Sequence, residues 1–452
     1  MSSSADCYSV GRRQVDSCPH LSGAHRMSTP SRASALTRRS LLAGACTLPA
    51  AAFELPAAAL ELAGLSERSL AADGAGGRTL RVGLIGCGGR GTGAAMQAAI
   101  ADPAVRVVAL ADLFEDQVAS SAGLLAQALG DRFEASRERR YVGPGAALDL
   151  VGSGVDVVIL AGPPSTRPAH LEAAVAAGLH VWCETPAAID PAGLSQFAAG
   201  LDRAEANGLV VASGLCSRFS SPTVSTVERV LDGAVGTIRS ISLHHDGGLP
   251  WWKPLPETAS AAEQLERNWI SYASRSGGSF LEHHVHALDR ALWLLGNDEP
   301  VAVEPVGRSE APAAGHGGDV PEAVRVRYRF ASGVVLDASC RRSATPRGSV
   351  ESVVGSHGRA DLLGGTVEEA GKTPWQVDRC SLGNAGTMYQ ASIDAFLRMI
   401  RSGLADRDET GTGTTLSGRR LLRATGLAVM GRMAAEGRSI HWKGLVSPSA
   451  RA

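Results

Sequence analysis

Two stretches of the chain combine residue types and spacings that could do chemistry. The denser is Gly277-Gly278-Ser279-Phe280-Leu281-Glu282-His283-His284-Val285-His286, which runs on to Leu295 and stops at Gly296. It reads as a helix closed by glycine. Glu282 and His286, four apart, then share one face. Histidine titrates near neutral pH, so such a face can exchange protons. The other stretch is a buried strand over 80–85, a glycine turn and a helix through Met96. Gly86, Gly88 and Gly91 form G-x-G-x-x-G, with Gly89 and Arg90 between. Gly86 permits the tight turn, Gly88 lets the backbone approach a pyrophosphate, and Gly91 lets the helix pack closely on its strand. The free N–H groups at the helix start would hold the phosphates.

The chain has 53 glycines in 452 residues, so context must decide what the glycine motif means. A second apolar run over 105–111 ends in Asp112. It lies about 20 residues past the last glycine, where a βαβ unit sets a carboxylate on the adenosine ribose. Helix capping is the other role open to Asp112. A carboxylate repels a 2′-phosphate and favours NAD over NADP; Arg90 pulls the other way. Residues 155–160 form a continuous apolar strand, as a parallel sheet covered on both faces requires. The strand ends in the Pro163-Pro164 loop, at the carboxyl edge where a dinucleotide sits. A helix over 170–177, a strand over 180–183 ending in Glu184-Thr185-Pro186, a helix over 194–206 and a strand over 209–212 complete a Rossmann domain, residues 79–214.

Residues 215–443 read as a second, α+β domain. A helix over 222–231 precedes an alternating strand over 237–244. Strands over 324–330, 334–339 and 349–354, with turns at Ser332-Gly333 and 355–358, suggest an antiparallel meander. Helices are expected over 388–399 and 416–435, and a last short strand over 439–442. The fold class is therefore α/β: a Rossmann domain followed by an α+β domain with an open, mostly antiparallel sheet. Between them, Trp251-Trp252-Lys253 and Arg267-Asn268-Trp269 set rings beside donors. That suits carbohydrate, whose C–H faces stack on rings while its hydroxyls take hydrogen bonds. Packing at a domain interface, where ligand sites also gather, is the alternative.

Composition narrows the function classes. Hydrophobic residues make up 44% and charged residues 20%, with a formal net charge of −1, so nothing favours nucleic acid or an anionic membrane. None of the eight cysteines pairs as C-x-x-C, which argues against a zinc ribbon or redox dithiol. His283, His284 and His286, with His244 and His245, raise the question of a metal. Adjacent helical residues point about 100° apart and no ligand spacing emerges, so no metal is expected. Before the Rossmann domain, Arg38-Arg39 precedes a short Ala-rich apolar run with small-residue cleavage sites near 50–52 and 57–59. This resembles a twin-arginine export signal, starting from Met1 or Met27. Residues 1–59 are read as N-terminus and signal, 60–78 as a linker and 444–452 as a tail. Export by that route would place the protein in the periplasm or outside the cell, with no membrane association after signal removal.

From the Gly86–Gly91 loop, the Pro163-Pro164 loop, Glu184-x-Pro186, Asp232-Gly233-x-x-Gly236 and the 277–296 block, taken in order, the chain resembles the glucose–fructose oxidoreductase/inositol dehydrogenase (Gfo/Idh/MocA) family over about 79–443. The resemblance implies that Glu184 and Thr185 lie beside the nicotinamide and its ribose, with a cis peptide before Pro186. It also makes His286 the acid/base, with Glu282 as its orienting or substrate-binding partner. His283, Trp252, Lys253, Arg267, Asn268 and Trp269 are the candidate substrate contacts. One departure bears on activity. The family's turn is usually Glu-Lys-Pro, and its lysine contacts the hydroxyl that loses a proton. Thr185 carries no charge for that task. The open face of the second sheet would support a homo-oligomer, as in relatives.

The reading is an oxidoreductase acting on a small carbohydrate or polyol. An exported enzyme meets no supply of dinucleotide, so its NAD is expected to be tightly bound and recycled internally. An NAD-dependent glycosidase of the same fold is the alternative, and a non-catalytic dinucleotide- or sugar-binding protein the second.

Overall fold

The computed structural model describes residues 78–307, 317–378, 385–403, 417–439, 441, 442 and 445. The export signal, most of the linker, Cys380 and Ile440 of the expected last strand lie outside them.

Short apolar strands alternating with helices build the first half. The elements are β1 (Leu80–Ile85), α1 (Gly89–Ala101), β2 (Val105–Asp112), α2 (Glu115–Leu129), β3 (Arg140–Val142), α3 (Ala146–Val151), β4 (Val157–Leu160), α4 (Arg167–Ala176), β5 (His180–Cys183), α5 (Pro191–Ala206) and β6 (Val211–Ser213). Their six strands form one sheet in the order β3-β2-β1-β4-β5-β6, every pair parallel. The order reverses at β1, between β2 and β4. In an open parallel sheet that reversal leaves a crevice beyond the strand ends. Val82, Leu84, Val107 and Leu110 are fully buried, which accounts for the unbroken apolar runs.

The second half comprises α6 (Ser221–Leu231), β7 (Ile238–Gly248), α7 (Ala261–Arg267), α8 (Ala273–Ser276), α9 (Ser279–Glu282), α10 (His284–Leu295), β8 (Pro300–Pro305), β9 (Ala323–Phe330), β10 (Val335–Ser343), β11 (Gly348–Gly355), β12 (Gly358–Asp361), β13 (Thr366–Glu369), β14 (Trp375–Gln376), α11 (Ala385–Ser402) and α12 (Gly418–Ala435). Eight strands form one sheet, ordered β14-β13-β12-β11-β7-β10-β9-β8. The expected meander needs correction. β9 and β10 pair antiparallel, but β7 lies between β10 and β11 and runs parallel to β10. Local turn signals cannot reveal such an insertion, because β7 comes from much earlier in the chain.

Two helices tie the halves together. The apolar face of α11 returns to the Rossmann domain, where Phe396 meets Trp182 with ring centres 5.6 Å apart. Along α12, Leu421, Leu427, Ala428 and Val429 are buried. Its Thr425 hydroxyl accepts the Ala187 N–H at 3.0 Å, just past the Glu184-Thr185-Pro186 turn. The helix carrying His286 is held from behind by buried ion pairs. Arg218 forks onto Asp289 at 2.8 and 2.9 Å and lies over the Trp293 ring; Arg290 pairs with Glu351 on β11.

Candidate active site

The glycine turn is built as its spacing predicts. Gly86 has φ +94°, and a Cβ there would lie 2.5 Å from the Ala161 carbonyl carbon. A Cβ on Gly91 would collide with the Gly86 carbonyl oxygen, so only glycine lets α1 sit this close to β1. Around Gly88 a Cβ would meet nothing within 4 Å. That open space beside the first turn of α1 is where a pyrophosphate would approach. Asp112 ends β2 under the same turn. Its carboxylate accepts the Cys87 N–H at 2.7 Å and the Phe114 N–H at 3.0 Å. Phe114, not Asp112, is the N-cap residue of α2, and burial raises the Asp112 carboxyl above the ordinary aspartate range. The set fits a dinucleotide: a cradle free of side chains, a helix start and a carboxylate at the end of β2.

Arg90 is engaged within the protein. Its guanidinium donates to Glu184 at 3.0 Å and to Gln97 at 2.8 Å and lies 4.8 Å from the Tyr389 ring centre. Glu184 Oε1 also accepts the Trp182 indole N–H at 2.8 Å. The carboxylate expected beside the nicotinamide is thus held by two donors.

Thr185 and Pro186 are joined by a cis peptide bond, and Thr185 Oγ1 lies 3.2 Å from His286 Nε2. Burial, then Arg290, lowers the His286 imidazole to about 4, so it is neutral at pH 7 with a ring nitrogen free to accept a hydrogen bond. Its Nδ1 is enclosed and has no partner among the described residues, as is Glu282 Oε1. Burial pushes the Glu282 carboxyl up to about 7, against the pull of Arg167 and Arg342. Glu282 and His286 do not share one continuous helix: the chain breaks at His283 (φ −103°, ψ −41°) between α9 and α10. His284 is a core residue with its ring 4.9 Å from that of Phe280. No metal-binding group of three or more His, Cys, Asp or Glu side chains occurs among the described residues.

The remaining candidates separate. His283 stacks on His245 with ring centres 5.1 Å apart, and its Nε2 meets the Arg342 guanidinium. Asn268, fully buried, spends its amide on the Lys253 backbone at 2.6 and 3.1 Å. Arg267 and Lys253 reach Asp116 in the first turn of α2, at 3.0 and 3.3 Å. Trp269 packs edge-on to the half-exposed Trp251, and Trp252 tilts against Tyr272. Where the sequence suggests sugar contacts, Asn268 is therefore structural, and the two cations bind the Rossmann domain beside the strand that carries Asp112.

Arg342 and Arg167 escaped the sequence reading. Arg342 donates to Ser279 Oγ at 3.0 Å and Gly248 O at 2.6 Å. Arg167 is buried and donates to the carbonyls of Gly162 and Pro186, joining the two loops beyond β4 and β5. The alternation of β10, with Leu336, Ala338 and Cys340 inward, marks Arg342 as a charge on the core face; that signal was available.

Comparison with known proteins agrees with this geometry. Residues 80–214 match the model described as an oxidoreductase family with NAD-binding Rossmann fold, and residues 224–361 match the GFO/IDH/MocA C-terminal domain. The chain is 27% identical over 301 residues to an inositol 2-dehydrogenase of Acidothermus cellulolyticus, covering 66% of this chain and 74% of the relative. It is 25% identical over 334 residues to a myo-inositol 2-dehydrogenase of Thermotoga maritima, covering 72% and 89%. Among solved structures, a levoglucosan dehydrogenase in complex with NADH and levoglucosan superposes with a TM-score of 0.60 at 19% identity, covering 80% of this chain and 98% of that one. That likeness shows the fold.

Proposed function

The chain belongs to the GFO/IDH/MocA oxidoreductase family, and within it we propose an NAD-dependent dehydrogenase of a carbohydrate or polyol that keeps its cofactor between turnovers. The observation that carries the reading is the meeting of Thr185 and His286, 101 residues apart in sequence, beside the glycine cradle. Bound NAD would accept hydride from the carbon bearing a substrate hydroxyl. The hydroxyl proton must leave at the same time. Thr185 Oγ1 takes it while passing its own proton to His286 Nε2, so the hydroxyl relays what the family's lysine would contact directly. Glu282 Oε1, enclosed and without a partner among the described residues, takes a neighbouring substrate hydroxyl, because an unpaired buried oxygen gains most from a new donor. NAD rather than NADP is supported by Asp112 under the turn and by the engagement of Arg90 with Glu184. Retention of the cofactor accords with the Arg38-Arg39 signal, through which the protein would be exported already folded to the periplasm or beyond.

The test is to purify the protein without added cofactor, denature it and identify any dinucleotide released. Polyols and sugars are then screened for reduction of the bound or added nicotinamide. Stoichiometric NAD or NADH, with turnover of a polyol or sugar, supports the reading. A protein that carries no dinucleotide and binds neither NAD nor NADP sinks it.

A further inference from the structure

We propose that Arg267 and Lys253, both from the second domain, form the outer wall of the adenosine half of the dinucleotide site, so that cofactor leaves only when they part from Asp116. This rests on the reading that NAD occupies the groove beyond β1. The segment between β7 and α9, residues 249–278, touches the Rossmann domain on both sides of that groove. On the β2 side, Arg267 donates to both Asp116 oxygens at 3.0 and 3.1 Å, and Lys253 Nζ lies 3.3 Å from Asp116. The Arg267 guanidinium also lies 3.9 Å from the centre of the Phe114 ring. On the β4 side, the Arg275 carbonyl accepts the Ser165 N–H at 3.2 Å, in the loop after Pro163-Pro164. β2 and β4 are the two neighbours of β1. A segment anchored at both must cross the groove above the glycine turn.

The crossing is stiff. Asn268 clamps Lys253 through both backbone groups. Glu263 holds Arg267 at 2.9 Å and Glu266 holds Arg275 at 2.6 Å, and Ser260 caps α7. Phe114 stands two residues after Asp112, the carboxylate placed for the ribose. A flat guanidinium already laid on Phe114 offers a stacking face to adenine, and two cations face the approach of an anionic pyrophosphate. Both features suit an adenine dinucleotide rather than a sugar.

The experiment compares the full-length protein with Arg267→Gln, Lys253→Met and Asp116→Asn. Release of NADH is followed by nicotinamide fluorescence after mixing with excess NAD, and affinities are measured for NAD and for nicotinamide mononucleotide, which lacks adenosine. Arg267→Gln is expected to release NADH roughly tenfold faster and to bind NAD correspondingly more weakly, with mononucleotide affinity unchanged. Lys253→Met and Asp116→Asn, at partly exposed positions, should shift release the same way by a few-fold with unchanged thermal unfolding. Unchanged release in all three variants, or equal losses for NAD and the mononucleotide, would overturn the proposal. It fails alone if the parent protein binds NAD normally in that experiment; a parent that binds no dinucleotide removes the functional reading as well.

Discussion

The groove beyond β1 is finished in opposite ways at its two ends. At the Asp116 end every named charge has a partner, and the carboxylate is half exposed, at 50% of its side chain. Exposed pairs of this kind are worth about 0–1 kcal/mol each. At the His286 end, Glu282 Oε1 and His286 Nδ1 are enclosed without partners among the described residues. A buried polar atom left unmatched costs roughly 1–3 kcal/mol. The first end is complete as structure and tunes access. The second holds unmatched polar atoms, which on the proposed reading a substrate hydroxyl would satisfy.

That contrast is broken most directly at His286. His286→Gln should lower kcat by roughly 10²–10⁴, the range for a positioned acid/base, while NAD affinity stays within twofold in a direct titration. A loss of NAD binding comparable to the loss of kcat would place His286 in the cofactor cradle and erase the distinction between the two ends.

Glu282 gives the next largest effect. Its carboxyl is held at about 7 against an ordinary value of 4.5, so the folded protein binds a proton that the unfolded chain releases between those pH values. Stability is complete below about 4.5 and falls as pH rises through about 7. Above that the ionised group costs up to ~3 kcal/mol. Glu282→Gln removes this dependence. In denaturant unfolding the variant should gain on the parent protein between pH 5 and pH 8. His286 works the other way, its lowered value costing stability as pH falls from 6.5 towards 4, but it is present in both proteins and cancels in the difference. A difference that does not change with pH would show Glu282 to be ordinarily solvated.

Within the cradle, Gly88→Ala and Gly91→Ala sharpen the same point. At Gly88, where the backbone is extended and a Cβ meets nothing, unfolding should be unaffected while NAD affinity falls about tenfold or more. At Gly91 the Cβ collides with Gly86 and stability itself should drop by roughly 1–3 kcal/mol. Equal thermal shifts in the two variants would count against a ligand-facing Gly88.

The cradle was legible because its requirements are backbone requirements: a tight turn, a close helix and an acid at a strand end all leave residue types at fixed spacing. The cis turn was legible through motif order, whereas the helix expected to join Glu282 to His286 breaks at His283 and no hydrogen bond between the two occurs among the described residues. What stayed hidden depends on contacts distant in sequence. Nothing local says that Arg267 finds Asp116, 151 positions away, that Asn268 spends its amide on Lys253, or that β7 slips between β10 and β11. Aromatic and basic residues near a domain junction suit a ligand and an interface equally in sequence, and only distant partners such as Asp116 show the contacts they make.

Thr185 gives the most diagnostic effect. Relay through its hydroxyl requires only Oγ1, so Thr185→Ser should keep most of kcat. Thr185→Val, nearly the same in shape but without the hydroxyl, breaks the relay and should lose about as much kcat as His286→Gln, roughly 10²–10⁴. Thr185→Lys installs the ammonium that the family's turn usually carries, which can stabilise an alkoxide without a relay; kcat should then rise above that of the parent protein. Values of kcat at saturating substrate in the three variants decide the matter. If Val and Ser behave alike, the 3.2 Å contact with His286 Nε2 only positions the ring, and His286 must meet the substrate hydroxyl itself. In that case lysine would bring charge but no new path for the proton, and its gain should be smaller than the loss seen in His286→Gln.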